Sequence, residues 1–123
     1  MNHFTAVSTV AVPVTDQDRA LAFYVETLGF DLHMDAPVPQ LNGRWIVVAP
    51  PGAATALALI PATAEVPAGT DTGIRFATSD AAAAHADLNA QGVSTSDLIS
   101  WPGVPPMLNF RDPDGNVLYA FEG

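Results

Sequence analysis

Side chains able to bind a metal or to transfer a proton are few and scattered along the chain. His33 and Asp35 stand two residues apart in a segment that alternates like a β-strand, so both can project from the same side of it. With Glu122 they form a set that could hold a divalent metal in an unusual arrangement. Tyr119 or an aspartate could instead act as an acid or base without metal.

Large apolar side chains form a second group, which could bind a flat hydrophobic ligand. Two indoles, Trp45 and Trp101, accompany Met107, Phe110 and Tyr119. Aromatic rings stack on flat ligands with about 0.5–1.5 kcal/mol per pair beyond the burial of area, and a thioether adapts to irregular shapes. These rings could border one cavity or fill the core, and for the two tryptophans the sequence favours neither.

Composition excludes several classes of partner. The 123 residues include 13 Asp and Glu against 4 Arg and no Lys, a formal net charge of −9. This charge repels phosphate backbones and anionic headgroups, so no nucleic acid and no membrane is expected as a partner. Without cysteine there is no thiolate nucleophile and no Cys-based zinc site. Hydrophobic residues make up 49% of the chain, and with neither a signal peptide nor a long apolar run we expect a globular cytoplasmic protein.

The first half of the chain is predicted to be a βαβββ unit. Alternating valines predict a strand over 7–14, and Asp16 can cap a helix whose apolar residues recur every three to four positions until Gly29 ends it. Three more strands, separated by breaks rich in Pro, Gly and Asn, are predicted over 30–35, 45–49 and 55–60.

The second half repeats this order. A strand over 73–78 precedes a helix that Asp80 can cap, and the cap positions are 80 − 16 = 64 residues apart, close to half of the chain. Further strands, the last two separated by an Asp-Pro-Asp-Gly turn, are predicted over 94–99, 107–110 and 116–122. An Ala-, Pro- and Thr-rich segment over 61–72 is predicted to link the halves.

Three motifs give the chain a resemblance to the vicinal oxygen chelate superfamily, which includes glyoxalases, bleomycin-resistance proteins and extradiol dioxygenases. The motifs are Val14-Thr-Asp16 with Ala20-x-x-Phe23-Tyr24-x-x-x-Leu28-Gly29-Phe30, then Arg44-Trp45 with Ala49-Pro50-Pro51-Gly52, and Phe110-x-Asp112-Pro113-Asp114-Gly115-Asn116. The resemblance implies an α+β fold in which two tandem βαβββ modules, about 1–60 and 73–123, form one domain over 1–123. Their curled mixed sheets would make a cup with helices outside, in a homodimer.

Enzymes of this superfamily hold a divalent metal in the cup, and the resemblance places its four ligands at Thr9, Ala58, Ile74 and Tyr119. None of these is a good ligand, because a Thr hydroxyl is weak, Ala and Ile have no donor, and neutral Tyr binds poorly near pH 7. We therefore expect no metal, no cofactor and no catalytic residue.

A cup without metal resembles the branch of the superfamily that sequesters drugs. We expect it to capture a hydrophobic or aromatic small molecule, such as an antibiotic or another natural product. The residues predicted to bind this ligand are Thr9, Trp45, Val47, Ile74, Phe76, Trp101, Met107, Phe110 and Tyr119.

Two alternatives remain open on the sequence. The chain could be a lyase, epimerase or dioxygenase that uses an unusual metal set or a metal-free acid–base step. It could also be an interaction module whose own side chains fill the cup. A cavity of about 300–1,000 Å³ lined by Trp45, Trp101 and Tyr119 would favour ligand binding over the packed module.

Overall fold

A computed structural model describes all residues from Met1 to Gly123. The chain divides into two compact units, Met1–Pro67 and Ala68–Gly123, and this boundary falls inside the predicted linker. The fold is α+β, as predicted, with two open mixed sheets, seven strands and two α-helices. Neither helix has the length and apolar character needed to cross a membrane.

The first unit has the predicted βαβββ order. Its elements are β1 (Thr9–Val14), α1 (Gln17–Ala22), a π-helical turn (Phe23–Thr27), β2 (Asp31–Val38), a 3-10 turn (Pro39–Leu41), β3 (Gly43–Ala49) and β4 (Ala56–Pro61). The strand order in the sheet is β1-β4-β3-β2, with β1 parallel to β4 and the other neighbours antiparallel.

The first sheet has one face that is buried across three of its strands, β1, β4 and β3. Val12, Leu59 and Ile46 lie side by side across β1, β4 and β3, and none of them is exposed. Helix α1 packs against β3 and β4, which accounts for this burial. The opposite face carries Val47 opposite Ala58.

Helix α1 begins where the sequence predicts. The Asp16 side chain accepts a hydrogen bond from the backbone N–H of Arg19 at 3.0 Å, which satisfies one of the free donors of the first turn. The glycine predicted to end the helical segment, Gly29, has a φ of +77°, a conformation that glycine adopts without steric penalty.

The single helix predicted up to this glycine is wrong in its second half. Residues Phe23–Thr27 form a π-helical turn, in which the Leu28 N–H bonds to the Phe23 carbonyl at 3.0 Å. Tyr24 is fully buried here, with its ring edge-on to Phe23 at 5.1 Å and tilted against Phe30 at 6.1 Å. The wider turn occurs where the Tyr24 ring packs in the core. The spacing of apolar residues in the sequence predicts a helix but not this packing, so it could not predict the π-helical turn.

The Gln17 side chain connects the start of α1 to the sheet. Its Nε2 donates to the Arg44 carbonyl at 2.6 Å and the Leu59 carbonyl at 2.8 Å, and its Oε1 accepts from the Arg44 N–H at 2.9 Å. A Cβ on the neighbouring Gly43 would stand 2.7 Å from the Pro61 ring and 2.8 Å from the Gln17 Oε1. Glycine at this position leaves the room that the amide occupies.

The second unit contains three strands and one helix. They are β5 (Asp71–Thr78), α2 (Ala81–Ala90), β6 (Met107–Arg111) and β7 (Val117–Glu122), with strand order β5-β7-β6. Strand β5 is parallel to β7, and β6 is antiparallel to it. The predicted cap of α2 is confirmed, because the Asp80 side chain accepts the Ala83 N–H at 2.9 Å.

The strand predicted over 94–99 is wrong. This segment makes only two isolated bridges to β6, Thr95 with Phe110 and Ile99 with Met107. Its polar side chains bind backbone groups directly: the Ser96 hydroxyl accepts the Asn109 N–H at 2.9 Å and donates to the Asp97 carbonyl at 2.9 Å. Such local bonds compete with a regular ladder.

The Asp-Pro-Asp-Gly-Asn motif forms the predicted turn between β6 and β7. Oδ1 of the buried Asp112 accepts the Asp114 and Asn116 N–H groups, both at 3.0 Å. The fully buried Asn116 donates from Nδ2 to Asp112 Oδ2 at 2.9 Å, and its Oδ1 accepts the N–H groups of Gly69 at 2.8 Å and Thr70 at 3.1 Å. The motif therefore fixes the segment that leads into β5.

Candidate ligand-binding cavity

A cavity of about 400 Å³ lies on the second sheet, on the face away from the buried core. This volume is within the range typical of small-molecule sites, about 300–1,000 Å³. The residues that line it come from β5, β6, β7 and the segment before β6, and are Arg75, Ile99, Pro105, Met107, Leu108, Asn109, Tyr119, Ala120 and Phe121.

Strand register arranges the side chains of this face in rows. One row is apolar: Met107 on β6 is directly opposite Phe121 on β7, which in turn is beside Ala77 on β5. The next row is polar: Asn109 is opposite Tyr119, which is beside Arg75.

Contacts within the polar row hold it in place. The Arg75 guanidinium carbon lies 4.4 Å from the centroid of the Tyr119 ring, a cation–π distance, and its Nη1 donates to the Gly73 carbonyl at 2.9 Å. The Tyr119 hydroxyl donates to Asp71 Oδ2 at 2.6 Å, and Asp71 Oδ1 accepts the Gly73 N–H at 3.0 Å.

These hydrogen bonds shift the pKa values of Asp71 and Tyr119. The hydrogen bond from Tyr119, followed by that from the Gly73 N–H, holds the pKa of Asp71 below its usual value. The same bond to Asp71, with burial as a second cause, raises the pKa of Tyr119. Near neutral pH the pair is therefore a phenol donating to a carboxylate.

Of the nine residues predicted to bind a ligand, Met107 and Tyr119 line the cavity. Ile99 and Pro105, on either side of Trp101 in sequence, also line it, whereas the Trp101 side chain is 61% exposed and does not.

Ile74, Phe76 and Phe110 lie on the opposite face of the second sheet. Phe76 is beside Ala120, and its ring stacks on Phe110 at 6.3 Å between centroids. Ile74 and Phe76 do not share the face of Tyr119, because Arg75 between them is beside Tyr119 and successive side chains of a strand point to opposite faces. These residues form part of the packing on the helix side.

The remaining predicted residues belong to the first unit and share one face of its sheet. Thr9 is beside Ala56, and Val47 is opposite Ala58, two residues further along β4. Trp45, two residues before Val47 on β3, packs half-buried against a cluster that includes Val47 and Ala56. Thr9, Trp45 and Val47 therefore share one face of the first sheet.

Residues at the four metal positions do not fit a divalent ion. Thr9 offers one hydroxyl, and Ala58 offers no donor. The 64-residue repeat places the counterpart of Thr9 at 9 + 64 = 73, which is Gly73 and not Ile74, and neither side chain has a donor. The Tyr119 hydroxyl is bound to a carboxylate and its pKa is raised, which favours the protonated phenol over a metal-binding phenolate.

Both carboxylates of the alternative metal set make other contacts. Asp35 accepts two hydrogen bonds from Arg44, Nε at 3.0 Å and Nη2 at 3.2 Å, and with Asp18 it raises the pKa of that guanidinium. Glu122 accepts the Ala81 N–H at the start of α2 at 3.0 Å. No three His, Asp or Glu side chains of this chain converge as a metal site would require.

Seven of the nine lining residues are outside the predicted ligand-binding set, and three of these seven, Arg75, Asn109 and Phe121, belong to the two rows described above. Phe121 alternates with Tyr119 on the last strand, which is a signal for a shared face. Arg75 is two residues after Gly73 on the same strand, so the two positions share a face. The 64-residue repeat that makes Gly73 the counterpart of Thr9 therefore also places Arg75 on the ligand-binding face. Asn109 had no comparable signal, because its place depends on the β6–β7 register.

Comparisons with known proteins agree with this architecture. The family model "Glyoxalase/Bleomycin resistance protein/Dioxygenase superfamily" matches residues 2–119. TnmS3, an antibiotic binding protein from Streptomyces sp. CB03234, has a crystal structure that is 38% identical in sequence, with a TM-score of 0.89 over 99% of this chain and 98% of that chain. A glyoxalase/bleomycin resistance protein from the same organism is 40% identical, with a TM-score of 0.82 over 94% of this chain and 99% of that chain.

A similar protein is also found outside Streptomyces. YetH, an uncharacterized protein of Bacillus subtilis strain 168, is 33% identical over 120 residues, which are 94% of this chain and 97% of the relative. The family model and this full-length similarity lead to one conclusion: the chain belongs to the glyoxalase/bleomycin resistance protein/dioxygenase superfamily.

Proposed function

We propose that this protein binds a hydrophobic or aromatic small molecule, an antibiotic or another natural product, and sequesters it without metal and without converting it. The observation that carries the proposal is the cavity of about 400 Å³ on the second sheet, with Met107 and Phe121 in its apolar row. An aromatic side chain and a thioether suit a flat apolar guest.

The similarity to TnmS3 supports the same function. That protein is described as an antibiotic binding protein, and the two chains match over almost their full lengths. Binding alone is enough for sequestration, since micromolar affinity corresponds to about −8 kcal/mol, which the burial of a few rings can supply.

The groups around the cavity favour binding over catalysis. No carboxylate, histidine or lysine lines it, and the one phenol, Tyr119, donates its proton to Asp71. A general base must reach the proton it removes, and the lining offers none with a suitable pKa.

We propose further that residues 1–123 form one domain that acts as a cytoplasmic homodimer. The family model spans both units, which supports a single domain. Strand β2 is an edge strand, and its apolar residues Leu32 and Met34 are 47% and 50% exposed, which a second copy of the chain could cover. Light scattering coupled to size exclusion tests the dimer, and a single monomer mass would contradict it.

A ligand screen tests the proposed function. The protein is titrated with a panel of aromatic antibiotics, flavins and polyketides while tryptophan fluorescence and amide chemical shifts are recorded. Any bound compound is extracted after incubation and its mass determined. We expect saturable binding with an unchanged compound. A mass change in the recovered compound would show an enzyme, and absence of binding up to high micromolar concentrations would contradict the cavity's role.

Two variants on one strand connect binding to the cavity. Met107→Ala removes a lining thioether, and we expect about a fivefold to tenfold loss of affinity from the lost apolar contact. Arg111→Met changes an exposed residue on the same face of β6 that does not line the cavity, and affinity should stay within twofold. Equal effects of both variants would place the ligand elsewhere.

A further inference from the structure

The cavity has polar groups on one side only. Within its lining, the row of Arg75, Tyr119 and Asn109 lies beside the apolar row of Met107 and Phe121. A ligand that spans both rows must place an apolar body over one and a polar edge against the other, since a polar group that the ligand covers without a hydrogen-bond partner is unfavourable.

Among the polar side-chain atoms of this row without a protein partner, Arg75 Nε and Nη2 and Asn109 Nδ2 are hydrogen-bond donors, and only Asn109 Oδ1 is an acceptor. The Arg75 guanidinium donates only to the Gly73 carbonyl, through Nη1, which leaves Nε and Nη2 available. The Asn109 backbone is bonded to Ser96, whereas its side-chain amide has no protein partner. The Tyr119 hydroxyl hydrogen is already used by Asp71.

The Arg75 donors are also held in position before a ligand binds. Tyr119 is fixed at its hydroxyl by Asp71, and its ring supports the Arg75 guanidinium at 4.4 Å. Because these side chains are already ordered, little further conformational entropy is lost when a ligand accepts their hydrogen bonds.

Charge around the row argues for an uncharged acceptor. The Asp71 carboxylate is bonded to the ring on which Arg75 stacks, so the positive charge of Arg75 has a negative neighbour. The chain as a whole carries a net charge of −9. The negative charge of the chain repels a carboxylate ligand, whereas an uncharged carbonyl oxygen carries no net charge to be repelled.

We propose that Arg75 and Asn109 make the cavity selective for aromatic ligands whose edge carries an uncharged hydrogen-bond-accepting oxygen, such as a ketone or quinone carbonyl. This inference rests on the proposed function, because it concerns the same cavity. It adds the chemical class of the ligand and the two residues that select it.

Three naphthalenes of nearly equal shape test the selectivity. They are 2-acetylnaphthalene, which has a carbonyl, 2-isopropenylnaphthalene, which has a CH₂ group in place of that oxygen, and 2-naphthoate, which is anionic. The intact protein is titrated with each, and dissociation constants are measured from amide chemical shifts. We expect the ketone to bind about tenfold more tightly than the alkene, as one hydrogen bond to a charged donor implies, and also more tightly than the naphthoate.

Variants assign the selectivity to residues. Arg75→Met keeps an unbranched apolar side chain but removes the donors, so the ratio of the alkene and ketone dissociation constants should fall from about ten to about three, the share that Asn109 supplies. Asn109→Leu should reduce the ratio about threefold. Arg111→Met removes a charge from the same face outside the cavity and should leave the ratio unchanged. A ratio of two affinities is not altered by a uniform loss of apolar contact or of folded protein.

Each outcome decides a separate point. Equal binding of ketone and alkene to the unaltered protein, with shifts at the cavity, would overturn the selectivity and leave the proposed binding function intact. A naphthoate that binds more tightly than the ketone would overturn the uncharged class. A ratio that survives both Arg75→Met and Asn109→Leu would overturn the assignment of residues. If no probe shifts the cavity resonances, both proposals fail.

Discussion

Asn116 is the residue whose removal should most destabilise the second unit. Its side chain is fully buried, and its hydrogen bonds include one to the Asp112 carboxylate and two to the backbone N–H groups of Gly69 and Thr70. Asn116→Ala leaves all three partners without this contact. With about 1 kcal/mol for each neutral bond and about 1.5–3 kcal/mol for the bond to a carboxylate, the expected loss is about 3–5 kcal/mol.

Urea unfolding followed by circular dichroism measures this loss. It would be a large part of the 5–15 kcal/mol that stabilises a typical domain, so the midpoint should fall far below that of the unaltered protein. Asn89→Ala is the matched control, because this amide also bonds to its surroundings but is exposed, and its loss should stay below about 1 kcal/mol.

A double-mutant cycle separates the bond to Asp112 from the other two. Asn116→Ala and Asp112→Ala should be non-additive by about 1.5–3 kcal/mol, since each single variant already breaks their shared bond. A loss from Asn116→Ala no larger than that of the Asn89 control would refute the role assigned to the buried amide.

Three further changes test local features. In Tyr119→Phe the pKa of Asp71 should rise, as followed by NMR titration of its carboxyl carbon, and an unchanged pKa would contradict the hydrogen bond. Because folding lowers the pKa of Asp71, the stability it contributes is complete above the unfolded pKa and is lost as pH falls through the folded one. Gly29→Ala should destabilise the protein by about 1 kcal/mol in urea unfolding because φ is positive, and Gly29→Asn should destabilise it less. Asp80→Ala should remove about 1 kcal/mol by loss of the helix cap, whereas Asp87→Ala at the other end of that helix should change stability by less than about 0.5 kcal/mol.

Features that depend on neighbouring residues could be predicted from the sequence. The caps at Asp16 and Asp80 and the positive φ of Gly29 follow from local chemistry, because a short side chain bonds to the N–H three residues ahead and glycine alone turns without strain. The βαβββ order of the first unit follows from the change of hydrophobic period along the chain.

Features that depend on strand register could not be predicted in the same way. A motif-based count placed Ile74 on the face of Tyr119, whereas the register places Arg75 there. The segment over 94–99 has the pattern of a strand, but its side chains bond to the backbone of β6. Both errors concern contacts between residues distant in sequence. Because of the first error, Arg75, the charged residue of the candidate site, was not among the predicted binding residues.

The contact between Gln17 and Gly43 has a consequence for redesign of the protein. A side chain at position 43 must displace the amide that joins α1 to β3 and β4, so random substitution there would select against folding before binding is ever tested. The Arg75 side chain contacts another element only at the exposed edge of the second sheet, where it lies over the Tyr119 ring, and no hydrogen bond joins the Asn109 side chain to another element. A library that varies these two positions and keeps Gln17 and Gly43 fixed would therefore sample new ligand preferences in a scaffold that still folds.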